Sequence, residues 1–157
     1  MAFTVSSLPI EPFAPLFALD DAALAERGAM RVVADARFAF PCRVTLDDAE
    51  PGERLILLNY EHQAADTPFR STYAIYVREA AAGATATADA LPPALRRRLL
   101  SLRGFDAAGM LRDADVVEGA VAEPVIERML ADPAIAYLHA HYAKPGCYAA
   151  RIDRTGS

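Results

Sequence analysis

The chain has 157 residues, 54% of them hydrophobic, which is enough for one compact domain with its own core. Sixteen Lys and Arg against 21 Asp and Glu give a net charge of −5, which argues against nucleic-acid and anionic-membrane partners. No apolar run approaches the roughly 20 residues of a membrane span, and two cysteines are too few for a disulfide scaffold, so we expect a soluble, cytoplasmic protein.

The N-terminal third predicts an extended segment, a short helix and two strands. Residues 1–18 are interrupted by three prolines and lack the basic start of a signal peptide, so we expect them to lie extended across the domain. Asp20 suits the N-cap of a helix that Gly28 can end. "MRVVADARF" and "PCRVTL" both have strand composition, with Pro41 marking a turn between them.

The middle of the chain predicts a buried strand. Residues 54–60 include four successive apolar side chains, so both faces of this strand are expected to be covered and the strand to lie centrally in its sheet. "STYAIYVRE" alternates and is expected to pair with it. Residues 80–91 have no periodic face and predict a surface loop, which leads into a short helix near Pro92 and Pro93.

The C-terminal part predicts two hairpins around a helix. "LLSLRGFD" and "GMLRDADVVEG" predict strands joined by a turn at 106–109, "EPVIERMLADP" predicts a helix, and 135–142 with 147–154 predicts a second hairpin. The predicted fold class is α+β: a single domain, 1–157, with a mainly antiparallel sheet and two or three peripheral helices. We expect the 54–60 strand and the second hairpin to share that sheet.

"YLHAHYAKPGC", residues 137–147, contains the strongest candidate for chemistry. On a strand His139 and His141 point to the same face, a spacing typical of ligands to a divalent metal such as zinc. Such an ion needs further ligands, and the candidates are His62, Glu61 and Cys147. Two alternatives stay open: a buried, hydrogen-bonded histidine pair, or histidines that line a ligand pocket without a metal.

The length of the turn after the histidines decides their neighbours. A two- or four-residue loop places Tyr148 and Ala150 on the histidine face and directs Cys147 away from it. A three-residue loop with a bulge places Cys147 and Arg151 there instead. The Pro-Gly pair fits a two-residue hairpin poorly, so the other two arrangements remain open.

Cys42 is the other candidate for reactivity, because the adjacent Arg43 can stabilise a thiolate. The alternative is that Cys42 is a small buried hydrophobic residue. The candidate catalytic residues are therefore Cys42, His139 and His141. The candidate ligand-binding residues are Arg43, Tyr60, Arg103 and Cys147. The run Arg96–Arg98 fans around a helix and predicts a solvated surface rather than one patch.

These residues support three functional hypotheses. The first is a small-molecule or anion-binding pocket lined by Cys, Arg, His and Tyr, and the second is a metal-binding or thiol-dependent enzyme. The third is a structural or homodimeric interaction module without catalysis. The chain lacks a glycine-rich phosphate loop, G-x-S-x-G, H-E-x-x-H and paired C-x-x-C motifs, which removes most enzyme classes with marked sequences.

The segment from "PCRVTLDDAEPGERLILLNYEH" to "STYAIYVRE", together with "YLHAHYAKPGCYAARIDR", resembles the bacterial family called domain of unknown function 1203. The resemblance implies a small single-domain bacterial protein and carries no activity with it. The positions that match the family motifs are Cys42, Arg43, Pro51, Gly52, Glu53, Tyr60, Pro68, Arg103, His139, Gly146 and Cys147. Tyr73 stands where members often have a histidine, and Tyr142 replaces a small polar residue; if that histidine is a metal ligand in relatives, a metal is less expected here.

Overall fold

The computed structural model describes residues 2–156, and within them the chain forms two antiparallel sheets with short helices. The strands are β1 (Phe3–Ser6), β2 (Ala29–Val33), β3 (Arg54–Gln63), β4 (Ser71–Arg78), β5 (Ala86–Ala88), β6 (Leu99–Phe105), β7 (Leu111–Glu118), β8 (Tyr137–Tyr142) and β9 (Tyr148–Arg154). The helices are α1 (Asp21–Glu26), α2 (Pro93–Arg96) and α3 (Glu123–Leu130). The predicted α+β class with mainly antiparallel pairing is confirmed. No helix in the described part of the chain is long and apolar enough to cross a membrane.

The larger sheet has six strands in the order β5-β1-β9-β8-β6-β7. Every residue of β8 is buried, since β6 and β9 flank it and side chains cover both of its faces. One face packs against α2 and α3 in the largest apolar cluster, which includes Leu138, Ala140 and Ile126. The other face carries His139 and His141.

The smaller sheet has three strands in the order β2-β3-β4. β3 is central in it, as its run of apolar residues predicts, and Ile56 and Leu55 belong to different apolar clusters on its two faces. The prediction that β3 and the β8–β9 hairpin share one sheet is wrong. Burial of both faces identifies a central strand, but it carries no information about which sheet that strand joins.

The predicted strand "PCRVTL" is also wrong, because residues 41–48 form a compact turn. The Cys42 carbonyl accepts the Leu46 N–H, and the Cys42 N–H donates to the Asp47 carbonyl. Leu46 has a φ of 55°, which no strand contains, yet it is fully buried. Cys42, Val44 and Leu46 are all buried in the folded protein. Their alternation along the sequence therefore resembles that of a strand, although the segment folds back on itself.

Two segments contain more regular structure than the sequence predicts. Residues 80–91, predicted as a surface loop, contain β5, which pairs with β1. Residues 1–18, predicted as extended, contain β1 and end in a 3-10 turn over Ala14–Ala18. The Asp20 carboxylate caps α1 by accepting the Ala23 N–H at 2.8 Å, as predicted.

The three arginines of the run Arg96–Arg98 form ion pairs with different carboxylates. Arg96 pairs with Glu123, while Arg97 and Arg98 both reach Asp48, at 2.8 and 2.6 Å. Two of these three guanidinium groups therefore fix the buried carboxylate of the 41–48 turn against α2.

Candidate functional site

All three histidines of the chain meet at one point between the two sheets. His139 and His141 come from β8 of the larger sheet, and His62 comes from β3 of the smaller one. The ligand atoms of the three rings lie within 4.8 Å of one another. His62, one of three residues predicted as a further ligand, is thus the residue that joins the pair.

Backbone irregularities lie beside these histidines. The pairing of β3 with β4 shifts between Glu61 and Gln63, which leaves His62 as the extra residue of a bulge. The pairing of β8 with β9 shifts between Ala140 and His141. A bulge redirects a side chain relative to regular alternation, and bulges concentrate next to functional sites. Both shifts serve to bring side chains of different strands to the same cluster.

The second bulge resolves the alternatives left open by the turn length. His141 pairs with Tyr148, whereas His139 pairs with Arg151, so Tyr148 and Arg151 both lie opposite histidines. Cys147 packs in the apolar cluster on the other side of the sheet. The Tyr148 ring stacks on His62 with ring centres 5.4 Å apart and an angle of 8° between the planes.

Each histidine has one buried ring nitrogen without a hydrogen-bond partner: Nδ1 of His62, Nδ1 of His139 and Nε2 of His141. Most buried polar atoms in proteins have a partner, so three orphans in one cluster call for an explanation. On His141 the other nitrogen, Nδ1, lies 3.0 Å from the Gly146 carbonyl. A carbonyl only accepts, so Nδ1 carries the proton and the Nε2 lone pair is free to bind a cation.

Burial keeps these rings neutral. It lowers the pKa of His139 to about 3, and the neighbouring His141 and His62 add to the effect. It lowers the pKa of His141 to about 3 as well, against the opposing hydrogen bond to Gly146. The pKa of half-buried His62 is lowered by burial and then by Arg103. Neutral imidazole is the form that ligates metals.

Arg103 lies beside the histidines, because it pairs with His139 across β6 and β8. Its positive charge lowers the pKa of all three histidines. Partial burial lowers the pKa of Arg103 itself. Within residues 2–156 its guanidinium has no carboxylate partner, and its Nε only approaches the Ser101 hydroxyl at 3.4 Å. Arg151, by contrast, is paired with Asp153.

The remaining candidates supply no ligand atom to the histidine group. Cys42 is fully buried, and its sulfur lies 3.3 to 3.5 Å from the main-chain N–H groups of Val44, Thr45 and Arg78. Both cysteines are free thiols. Tyr60 is half-buried against Phe13, and burial raises its pKa.

Arg43 and Cys147 line a separate cleft of about 630 Å³. Tyr142 lines the same cleft, although the sequence singled it out only as a departure from the family pattern and not as a candidate site residue. Its position on β8 indicated only a face opposite the histidines.

A family model described as "Protein of unknown function (DUF1203)" matches residues 39–154. The chain belongs to the DUF1203 family. The matched segment contains all three histidines, Arg103 and both cysteines, so the cluster lies wholly within the DUF1203 region. No curated protein and no solved structure matches the chain.

Proposed function

We propose that this DUF1203 protein binds a divalent transition metal of the zinc type through His62, His139 and His141. The observation that carries the proposal is the set of three partnerless, buried ring nitrogens on rings whose ligand atoms lie within 4.8 Å of one another. Three atoms no more than 4.8 Å apart have a common centre no more than about 2.8 Å from each. Zinc–imidazole bonds are about 2.0–2.1 Å, so each ring would need to close by at most about 0.7 Å.

The ligand set favours a site with one open coordination position. Imidazole nitrogens suit zinc, copper, nickel and iron better than calcium or magnesium. Glu61 is paired with Arg70 at 2.8 Å, and Cys147 packs on the other side of the larger sheet, so neither of the other predicted ligands supplies a fourth bond. Three protein ligands with one position left open are typical of catalytic rather than structural zinc sites.

Arg103 supports a preference for anionic ligands at that open position. Its half-buried guanidinium lies close enough to perturb all three histidines and forms no ion pair among the described residues. A zinc-type ion supplies Lewis acidity to a bound carbonyl or phosphoryl oxygen. Arg103 would hold a second oxygen of the same ligand or stabilise charge that develops on it.

The test is elemental analysis of protein purified without a metal-affinity tag. We expect near-stoichiometric zinc or a related ion, and its loss in His139→Gln/His141→Gln and in His62→Gln. Cys42→Ser/Cys147→Ser is the matched control and should keep the metal, since neither thiol belongs to the group. Less than about a tenth of an equivalent after purification, and no uptake on dialysis against zinc, would overturn the proposal.

Arg103→Met separates metal binding from ligand binding. We expect this variant to keep the metal and to lose affinity for added phosphate by about tenfold, as removal of one charge-assisted hydrogen bond predicts. Unchanged phosphate affinity in Arg103→Met would remove Arg103 from the proposal and leave the metal centre in place.

A further inference from the structure

The cleft lined by Arg43, Tyr142 and Cys147 is a second candidate site, with a volume of about 630 Å³. None of the three histidines lines it, and its lining residues Tyr142 and Cys147 belong to the apolar cluster on the other side of β8 and β9. Its walls include several apolar and aromatic side chains: Phe38, Pro41, Leu57, Tyr73, Tyr76 and Leu99. A cleft of this size, mostly apolar with a few polar groups, is typical of small-molecule sites.

Arg43 is unusual among the residues of this cleft because its charge is buried. It is only 1% exposed, yet within residues 2–156 it forms no ion pair. Its Nε donates to the Tyr148 carbonyl at 2.7 Å, and Nη1 donates to the Pro41 carbonyl. These bonds use two of the five N–H donors of a guanidinium. A buried cation without an anionic partner is costly, so Arg43 calls for a counter-ion.

Tyr142 supplies a second unsatisfied group in the same wall. Its side chain is 1% exposed, and its hydroxyl is buried without a hydrogen-bond partner. The guanidinium carbons of Arg43 and Arg98 lie 5.1 and 5.0 Å from the centre of its ring. The hydroxyl is thus an unused hydrogen-bond donor on a ring that contacts two guanidinium groups, a setting suited to an oxyanion.

The charges around the cleft leave a net positive site. Arg97 and Arg98 also line it, but Asp47 and Asp48 neutralise them. The remaining lining charges are Arg43 and Lys144 against Glu118, and Lys144 and Glu118 are both exposed. The buried part of the cleft therefore carries one uncompensated positive charge, that of Arg43.

We infer that this cleft binds a small organic oxyanion, a carboxylate or a phosphate monoester, whose apolar body lies against the aromatic wall. Arg43 and the Tyr142 hydroxyl bind the charged group, and Leu57 and Tyr76 contact the body of the ligand. This inference does not depend on the metal centre, since none of the three histidines lines the cleft.

The experiment is isothermal titration calorimetry of EDTA-treated protein with benzoate, phenyl phosphate and the neutral analogue benzamide. We expect at least one of the two anions to bind at least tenfold more tightly than benzamide, and the comparison of benzoate with phenyl phosphate identifies the preferred oxyanion. Anion binding that persists after EDTA has removed the metal is not binding to a metal ion at the histidine cluster, and none of the three histidines lines the cleft. No binding of either anion up to about 10 mM, or equal binding of benzamide, would overturn the inference.

Variants locate the charged group of the ligand. Tyr142→Phe removes only the hydroxyl and should weaken anion binding by about fivefold to tenfold, with no loss of folding stability, because that hydroxyl has no partner in the protein. Arg43→Lys keeps the charge but loses the planar donor pair, and should weaken binding by at least tenfold. Lys144→Met, at the exposed rim, is the matched control and should change affinity less than threefold. Anion binding that is insensitive to both Tyr142→Phe and Arg43→Lys would also contradict the inference.

Discussion

The metal-free protein should lose stability in acid because of His139 and His141. Both rings have a pKa of about 3 in the folded protein, against 6.5 for an exposed imidazole. Between these values the unfolded chain binds more protons than the folded chain does, so the free energy of unfolding falls as the pH is lowered from about 6.5 towards 3. His62 contributes in the same direction, since its pKa is also lowered.

The size of the effect follows from proton linkage. At pH 5.0 an imidazole of pKa 6.5 is almost fully protonated in the unfolded chain, and one of pKa about 3 is almost neutral in the folded chain. The loss relative to pH 7.5 is then about 2 kcal/mol for each histidine, or about 4 kcal/mol for the pair. For a protein whose total stability is of order 5–15 kcal/mol, this is a large fraction.

Urea unfolding of EDTA-treated protein at pH 7.5 and pH 5.0 measures this loss. Carboxylates also titrate in this range, so the reference is His139→Gln/His141→Gln, in which they are unchanged. We expect the wild-type protein to lose about 4 kcal/mol more than the variant, which corresponds to about 2 M in urea midpoint at a slope of 2 kcal/mol/M. If the two proteins lose the same stability within about 1 kcal/mol, the histidines are not buried in neutral form and the reasoning fails.

Two further predictions concern a close backbone contact and the accessibility of the cysteines. Gly119→Ala should destabilise the protein by about 3 kcal/mol or more, because a Cβ there would lie 1.9 Å from the Leu95 carbonyl oxygen. Gly83→Ala is the control, since no atom lies within 4 Å of the added carbon, and equal shifts in melting temperature for the two variants would contradict this account. Alkylation of the folded protein should modify Cys147 before Cys42, as measured by peptide mass spectrometry, because Cys147 is 7% exposed in the cleft wall and Cys42 is fully buried. Preferential labelling of Cys42 would instead support a role for it as a nucleophile.

Local sequence signals predicted the elements whose boundaries depend on neighbouring residues. The Asp20 cap and the Asp106–Gly109 turn were both recognisable, since capping and turn chemistry act within a few positions. The central strand at 54–60 was recognisable from its run of apolar residues, which is also a local signal. These signals predicted the longer strands along the chain, but they missed β5, placed a strand wrongly at 41–46 and did not show the distribution of strands between two sheets.

The histidine cluster could be predicted only in part. Alternation on a strand placed His139 and His141 on one face, but the third member required the bulge at His62 and the approach of a second sheet. Arg103 became a neighbour through cross-strand pairing with His139, a contact between positions far apart in sequence. Long-range register of this kind is set by packing of the whole core, which a local pattern does not record.

The distribution of the histidines over two sheets has a consequence for folding cooperativity. An ion bound by His62 and by the β8 pair would be a cross-link between β3 and β8, and it would close a long loop of chain much as a disulfide does. Local openings that separate the sheets would then require rupture of a coordination bond. Metal binding would then slow amide hydrogen exchange in β3 and β8 together, so that the smaller sheet would become as well protected from exchange as the larger one.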